Sequence, residues 1–142
     1  MSATNAPRGD EPTGEPRGSS PRFYLHLLAF VSLLGVWTWL LLEPYPVPPA
    51  VTAGLSADLK LILAKSLHAG VYAFLTVLGT TLPVSRRWHL VILGLLVVHG
   101  VGTEIGQTYV PNRTGRVTDV LIDWAGITAG VFALRGWRPR PA

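Results

Sequence analysis

The sequence lacks cysteine and is poor in charge. Its 142 residues include no Cys, which excludes disulfide bonds, Cys-ligated zinc and thiol catalysis. Only 14% of the residues are charged, against about a quarter in an average soluble domain, whereas 49% are hydrophobic. Because the apolar residues are gathered in long runs, they predict membrane-spanning helices rather than the core of a soluble protein.

Four apolar runs are long enough to span a bilayer. A helix of about 20 residues, rising 1.5 Å per residue, crosses a hydrocarbon core of about 30 Å. The proline-rich stretch EPYPVPPA ends the first run, and LSADLKLILA (55–64) fits either the start of the second run or a short interfacial turn. The prediction is an all-α fold, a four-helix transmembrane bundle over residues 23–134, with spans at about 23–42, 65–82, 89–109 and 118–134.

The chain ends are polar and predict the orientation. Residues 1–22, rich in Pro, Gly, Ser and Arg, predict a disordered tail, and residues 135–142 form a basic tail. With the N-terminus inside, eight basic residues are cytoplasmic: Arg8, Arg17, Arg22, Arg86, Arg87, Arg135, Arg138 and Arg140. The other four lie outside: Lys60, Lys65, Arg113 and Arg116. This excess predicts a plasma-membrane protein with both termini cytoplasmic, and the positions of the charges at segment ends argue against a nucleic-acid partner.

Unusual polar residues gather at the outer ends of three spans. They share helix faces at spacings of three, four or seven residues and lie within about one helical turn of the same depth. Such groups are costly in lipid, so we expect them to converge on the bundle interior as a polar pocket. The predicted pocket comprises Lys65, His68, Tyr72, Glu104, Gln107, Arg113, Asp119 and Asp123.

Within this pocket the sequence suggests particular contacts. Glu104 lies in a largely apolar span, and its predicted partner is Lys65 or His68. The turn after the third span is expected to swing Arg113 back over Glu104. His99 lies five residues before Glu104 and is expected to point away from that face. A purely structural role, with polar side chains only holding helices together, remains an open alternative.

Paired glycines predict close helix packing. Gly102 and Gly106 form a GxxxG pattern on the third span, and Gly126 and Gly130 form another on the fourth. Small residues at this spacing let helix backbones approach each other in a membrane. The second pair continues the face that carries Asp119, so it is expected to help seat the acidic residues inside the bundle.

The motifs KSLHAGVY and EIGQTYVPNRTGRVTDVLIDWAGITAG resemble the VanZ-like family of small bacterial membrane proteins. The family pattern matches, in order and spacing, at Lys65, His68, Tyr72, Glu104, Gln107, Arg113, Asp119 and Gly126. Two positions depart from it: Ala64 stands where the family often has Asp, and Asp123 where it often has Asn. The resemblance covers about residues 60–134 and implies, for some members, resistance to glycopeptide antibiotics of the teicoplanin type.

The functional expectation is a pocket for a membrane lipid or a lipid-linked cell-envelope precursor. Lys65 and Arg113 would hold an anionic head group, while His68 and Glu104 would orient it or exchange protons. No cofactor and no metal ion is assigned, no recognisable catalytic signature is present, and no oligomeric state is predicted.

Other functions stay open at this point. One alternative is a membrane-embedded hydrolase or transferase, in which His68, Glu104 and Asp119 would act as general acid and base or bind a metal. Others are a small proton-coupled transporter that uses Glu104, and a structural membrane protein without a ligand.

Overall fold

A computed structural model describes residues 20–45, 47 and 49–136, and within these ranges every regular element is a helix. The order is α1 (Pro21–Leu42), α2 (Pro49–Thr52), α3 (Ala57–Thr80), α4 (Arg86–Gln107) and α5 (Val117–Gly136). Apart from the single-turn α2, all of these helices are long and apolar enough to cross a membrane. The predicted all-α, four-helix transmembrane fold is therefore confirmed.

The second span belongs to a longer helix than its apolar run suggested. Helix α3 begins at Ala57 rather than at Lys65, so the ambiguous stretch 55–64 is helical over most of its length. Its start is stabilised by Ser56, whose hydroxyl oxygen accepts a hydrogen bond from the N–H of Leu59 at 3.3 Å. Asp58 in the first turn adds a favourable interaction with the helix dipole.

Only the residues of the two predicted tails that adjoin the helices are described by the structure. Helix α1 starts at Pro21, two residues before the predicted span, because proline is well suited to the first turn of a helix. The remainder of the predicted N-terminal tail and most of the basic C-terminal tail, residues 1–19 and 137–142, lie outside the described residues.

Helices α3 and α5 run parallel and share the most extensive helix contact of the bundle. Two glycines of α5 permit it. A Cβ added to Gly126 would collide with the carbonyl oxygen of Ala69, and one added to Gly130 would lie 2.6 Å from the carbonyl oxygen of Ala73. The GxxxG pattern of the fourth span therefore lies at a backbone-to-backbone contact, as predicted.

The GxxxG pattern of the third span does not lie at a backbone-to-backbone contact. A Cβ at Gly102 would meet no atom within 4 Å, and one at Gly106 would meet only the side chain of Leu42, at 2.9 Å. Gly100, outside this pattern, also faces a neighbouring helix, since a Cβ there would lie 3.2 Å from Asp123 Oδ2. Spacing alone did not predict which glycines face a neighbour, because that depends on how α4 is rotated in the bundle.

The core is a stack of apolar side chains between α1, α3, α4 and α5. Its buried members are Phe30, Trp37, Leu41, Tyr72, Leu75, Leu96 and Ile127. The opposite faces of the helices expose large apolar side chains, which suits contact with lipid rather than water. We call the end at which α3 and α5 begin, and α1 and α4 finish, the polar end, because the predicted site residues gather there.

The glycine contact between α3 and α5 makes a stability prediction. Gly126→Ala forces the two backbones apart, and we expect it to lower the free energy of unfolding by about 1–3 kcal/mol, the usual cost of overpacking. Gly102→Ala is the matched control, since its methyl group meets open space and alanine favours a helix. Both are measured by unfolding the purified protein in mixed detergent. Equal stability of the two variants would contradict the packing described here.

Candidate functional site

The most exposed pair among the predicted site residues is an ion pair between α3 and α5. Lys65 Nζ donates to Asp119 Oδ1 at 2.8 Å. The side chains remain 32% and 21% exposed, respectively, so water or lipid head groups can reach the pair. The pairing follows from the parallel packing, which places the first turn of α5 beside the third turn of α3. Asp119 therefore combines a first-turn position with a direct partner on the neighbouring helix.

One turn deeper lies a second, less exposed pair. His68 Nδ1 lies 3.0 Å from Asp123 Oδ1, and the Asp123 side chain is fully buried. Gly100 on α4 leaves space for this carboxylate, because a Cβ there would lie 3.2 Å from Asp123 Oδ2. The ring of Trp37 packs edge-on against the His68 ring, with centroids 5.5 Å apart. Lys65 and His68, predicted to share one face of α3, therefore contact Asp119 and Asp123, which share one face of α5.

Glu104 reaches the same depth from α4, with only 5% of the residue exposed. Its Oε2 accepts a hydrogen bond from the backbone N–H of Arg116 at 2.6 Å. The loop can approach so closely because Gly115 has no side chain; a Cβ there would collide with the carbonyl oxygen of Glu104. The predicted pairing of Glu104 with Lys65 or His68 is therefore not formed as a hydrogen bond: Lys65 and His68 contact the aspartates of α5, and Glu104 bonds to the loop.

Arg113 is directed towards α1 rather than into the cluster. Its Nε donates to the carbonyl oxygen of Glu43 at 3.0 Å, and its Nη2 donates to that of Leu40 at 3.1 Å. It thereby satisfies carbonyl groups at the C-terminal end of α1 that have no partner within the helix. Burial lowers the pKa of Arg113, and the nearby carboxylates of Glu104 and Glu43 oppose this shift. The guanidinium group therefore joins the loop before α5 to the end of α1.

Below the two pairs lies a neutral hydrogen-bond chain that the sequence analysis missed. Tyr72 Oη is 2.8 Å from His99 Nδ1, and His99 Nε2 is 2.8 Å from Thr38 Oγ1. Thr38 donates its only hydroxyl proton to the carbonyl oxygen of Leu34, so it accepts from His99 Nε2–H. In the neutral imidazole, His99 Nδ1 then accepts the proton of the fully buried Tyr72.

His99 does point away from the face of Glu104, but it points at other helices rather than out of the bundle. Helix α4 contacts α1, α3 and α5, so a side chain beside the Glu104 face still meets a neighbour. The available signal was the hydroxyl of Thr38, one of the few polar groups of the first span, which offers a partner to a histidine on another span. His26 of α1 also has a partner on another helix, since its Nε2 lies 3.0 Å from the carbonyl oxygen of Leu78.

The structure thus divides the eight predicted site residues among several contacts. Three of them, His68, Glu104 and Asp123, each bring a possible ligand atom within 4.8 Å of the other two. The hydrolase alternative had named Asp119 as the third member, but Asp119 lies one turn further out and pairs with Lys65. Gln107 is buried at the end of α4, with 4% exposure.

Two buried carboxylate oxygens of this cluster have no hydrogen-bond partner within the described residues. They are Glu104 Oε1 and Asp123 Oδ2, each on a residue that is at least nine-tenths buried. An unpaired polar atom removed from water is costly, and more so when it carries charge. One imidazole and two carboxylates are also a ligand set that divalent transition metals accept.

An apolar groove lies at the opposite end of the bundle. It runs between α1 and α4, and its lining includes Phe23, Phe30, Trp88 and Leu95. This groove is not part of the polar cluster and holds none of the predicted site residues.

The two ion pairs are expected to differ in their contribution to stability. Asp123→Ala removes a fully buried carboxylate and leaves the partly buried His68 without its partner, so we expect a cost of about 3–5 kcal/mol in unfolding free energy. Asp119→Ala removes a partly exposed pair and is expected to cost about 1 kcal/mol or less. Unfolding titrations of both variants in mixed detergent provide the measurement. A larger loss for Asp119→Ala would overturn the assignment of depth.

Comparison with known proteins identifies the family. No curated protein and no solved structure matches the chain. A protein-family model described as VanZ/LLP1 matches residues 30–138, which is well over half of the chain and includes every predicted site residue. Together with four helices able to span a membrane and the polar motifs at one end of them, this match shows that the chain is a membrane protein of the VanZ-like family.

Proposed function

We propose that this protein binds the phosphate-bearing head group of a membrane lipid or of a lipid-linked envelope precursor at its polar end. The observation that carries the proposal is the accessible cationic rim of the cluster. Arg116 is exposed, and within the described chain its guanidinium makes no ion pair. Lys65 is partly exposed and uses one of its three donors for Asp119, which leaves two for a ligand.

The rim, rather than the buried cluster, is the favourable place for a phosphate group. Glu104 and Asp123 repel an anion that enters deeper, whereas guanidinium and ammonium groups at the rim form charge-assisted hydrogen bonds with it. Arg113, which the sequence analysis had paired with Lys65 for this task, already donates to carbonyl groups of α1. The proposal therefore assigns head-group contact to Lys65 and Arg116.

Membership in the VanZ-like family supports a role in the cell envelope, and we infer that head-group binding underlies tolerance to glycopeptide antibiotics. A protein that holds a lipid-linked precursor at the membrane surface would change how accessible that precursor is to an antibiotic. The proposal places the polar end at the outer leaflet, where such precursors are exposed.

Head-group binding is tested with charge-matched double variants. Lys65→Ala/Arg116→Ala is expected to weaken binding of a short-chain anionic phospholipid and of a polyprenyl phosphate, each at least about tenfold, because two charge-assisted hydrogen bonds are lost. Arg86→Ala/Arg87→Ala, at the other end of the bundle, removes the same charge and serves as control. Affinities are measured on purified protein in a neutral detergent.

The two lipids distinguish the possible sources of the phosphate group, since preference for the polyprenyl phosphate favours an envelope precursor. If both double variants bind both lipids as the wild type does, the head-group proposal fails. In cells that depend on the protein for teicoplanin tolerance, the Lys65/Arg116 variant is expected to lose that tolerance while the control retains it.

We further propose that the protein lies in the plasma membrane with both termini in the cytoplasm, as the distribution of basic residues suggests. The absence of native cysteine allows a direct test with single-cysteine variants. On intact cells, a membrane-impermeant maleimide is expected to label Thr114→Cys, in the loop before α5, and to label Ser85→Cys, in the loop between α3 and α4, only after lysis. The reverse labelling pattern would show the opposite orientation.

A further inference from the structure

The three-residue cluster of His68, Glu104 and Asp123 differs from the other polar contacts because it brings together possible ligand atoms from three different helices. Their nitrogen and oxygen ligand atoms lie within 4.8 Å of one another. Both carboxylates also carry a buried oxygen without a partner, Glu104 Oε1 and Asp123 Oδ2. These orphan oxygens are an observation independent of the clustering, since closely packed carboxylates are normally satisfied by hydrogen bonds.

We propose that His68, Glu104 and Asp123 form a binding site for one divalent transition-metal ion of the zinc type. The inference goes beyond the proposed head-group function and does not depend on it. His68 would contribute a ring nitrogen, and the two acidic residues would contribute one carboxylate oxygen each. Water or an exogenous oxygen ligand would complete a tetrahedral coordination, as in three-ligand zinc sites.

The distances suit such a site. Around a tetrahedral zinc ion with bonds of about 2.0–2.1 Å, ligand atoms are separated by about 3.3 Å. His68 Nδ1 and Asp123 Oδ1 are 3.0 Å apart, close to that separation. The remaining distances within the cluster, up to 4.8 Å, close with shifts of about 1–2 Å, which side-chain rotation provides.

The charges also suit it. Asp119 takes the ammonium of Lys65, and Arg113 is engaged by carbonyl groups, so the buried carboxylates have only His68 as a cationic partner in the cluster. A divalent ion with a neutral imidazole and two carboxylates gives a site of zero net charge, which limits the cost of burial. The ion takes the place of the hydrogen bond between His68 Nδ1 and Asp123 Oδ1, and the proton of the neutral imidazole then lies on Nε2.

The surroundings orient one of the ligands. The Arg116 backbone N–H donates to Glu104 Oε2 and holds this carboxylate in place, as partners of metal-bound carboxylates do. The ligand set also defines which ion is preferred. An imidazole with two carboxylates favours Zn²⁺ or Mn²⁺, whereas Mg²⁺ and Ca²⁺ prefer six or more oxygen ligands.

The test uses the full chain, purified in neutral detergent, stripped with a chelator and titrated with Zn²⁺ against a chromophoric competitor without added lipid. We expect one ion per chain, with Mg²⁺ binding far more weakly. His68→Ala, Glu104→Gln and Asp123→Asn are each expected to weaken Zn²⁺ binding more than about tenfold, because loss of an outer partner alone costs about 10–100-fold.

Two control variants separate this site from casual binding to surface groups. His89→Ala removes a histidine of α4 near the opposite end, and Asp58→Asn removes an exposed carboxylate from α3, the helix that carries His68. Both are expected to keep wild-type affinity for Zn²⁺. Binding below one ion per chain, or wild-type affinity in all three ligand variants, would overturn the proposal.

X-ray absorption on the zinc-loaded wild type decides the matter if the ligand variants fail to fold. The expected first shell contains only nitrogen and oxygen, with the scattering pattern of a single imidazole. Two or more imidazoles would overturn the site, because His68 is the only histidine of the cluster. The two proposals are separated if the Lys65/Arg116 variant loses lipid binding but keeps its Zn²⁺ affinity. They are also separated if the ligand variants lose Zn²⁺ affinity but keep lipid binding.

Discussion

The parallel contact between α3 and α5 is the interaction on which the rest of the polar end depends. Gly126 and Gly130 bring the α5 backbone against the carbonyl groups of Ala69 and Ala73. The same face of α5 carries the two aspartates one and two turns earlier, so close packing of the glycines aligns them with Lys65 and His68. A wider helix separation would leave the buried carboxylate of Asp123 without its partner, at high cost.

In a bilayer the hydrophobic effect does little to hold helices together, because lipid is as apolar as the side chains it replaces. Polar contacts and tight packing must then supply the specificity of the fold. The bundle uses a graded arrangement: a partly exposed pair at Lys65 and Asp119, a less exposed pair at His68 and Asp123, and a neutral chain through Tyr72 and His99. Charge decreases with depth, as the rising cost of desolvation requires.

The loop before α5 completes the arrangement by acting on two helices. Gly115 allows it to fold onto the end of α4, where the Arg116 N–H meets Glu104. Arg113 simultaneously holds the end of α1. Backbone groups of a loop cannot stay unpaired next to a membrane interior, so these contacts are also what permits the loop to lie there. The Glu104 carboxylate is thus held in place by Oε2, while its Oε1 has no hydrogen-bond partner among the described residues.

The sequence by itself determined the membrane-spanning helices, the layer at which the polar residues lie, and the shared faces of α3 and α5. These properties depend on run length and on the 3.6-residue period, which are local. The tertiary structure alone decided the partner of Glu104, the use of Arg113, the role of His99, and which GxxxG pattern is packed. Each of these depends on the rotation of a helix about its axis and on the path of a loop, and both are set by contacts between residues distant in sequence.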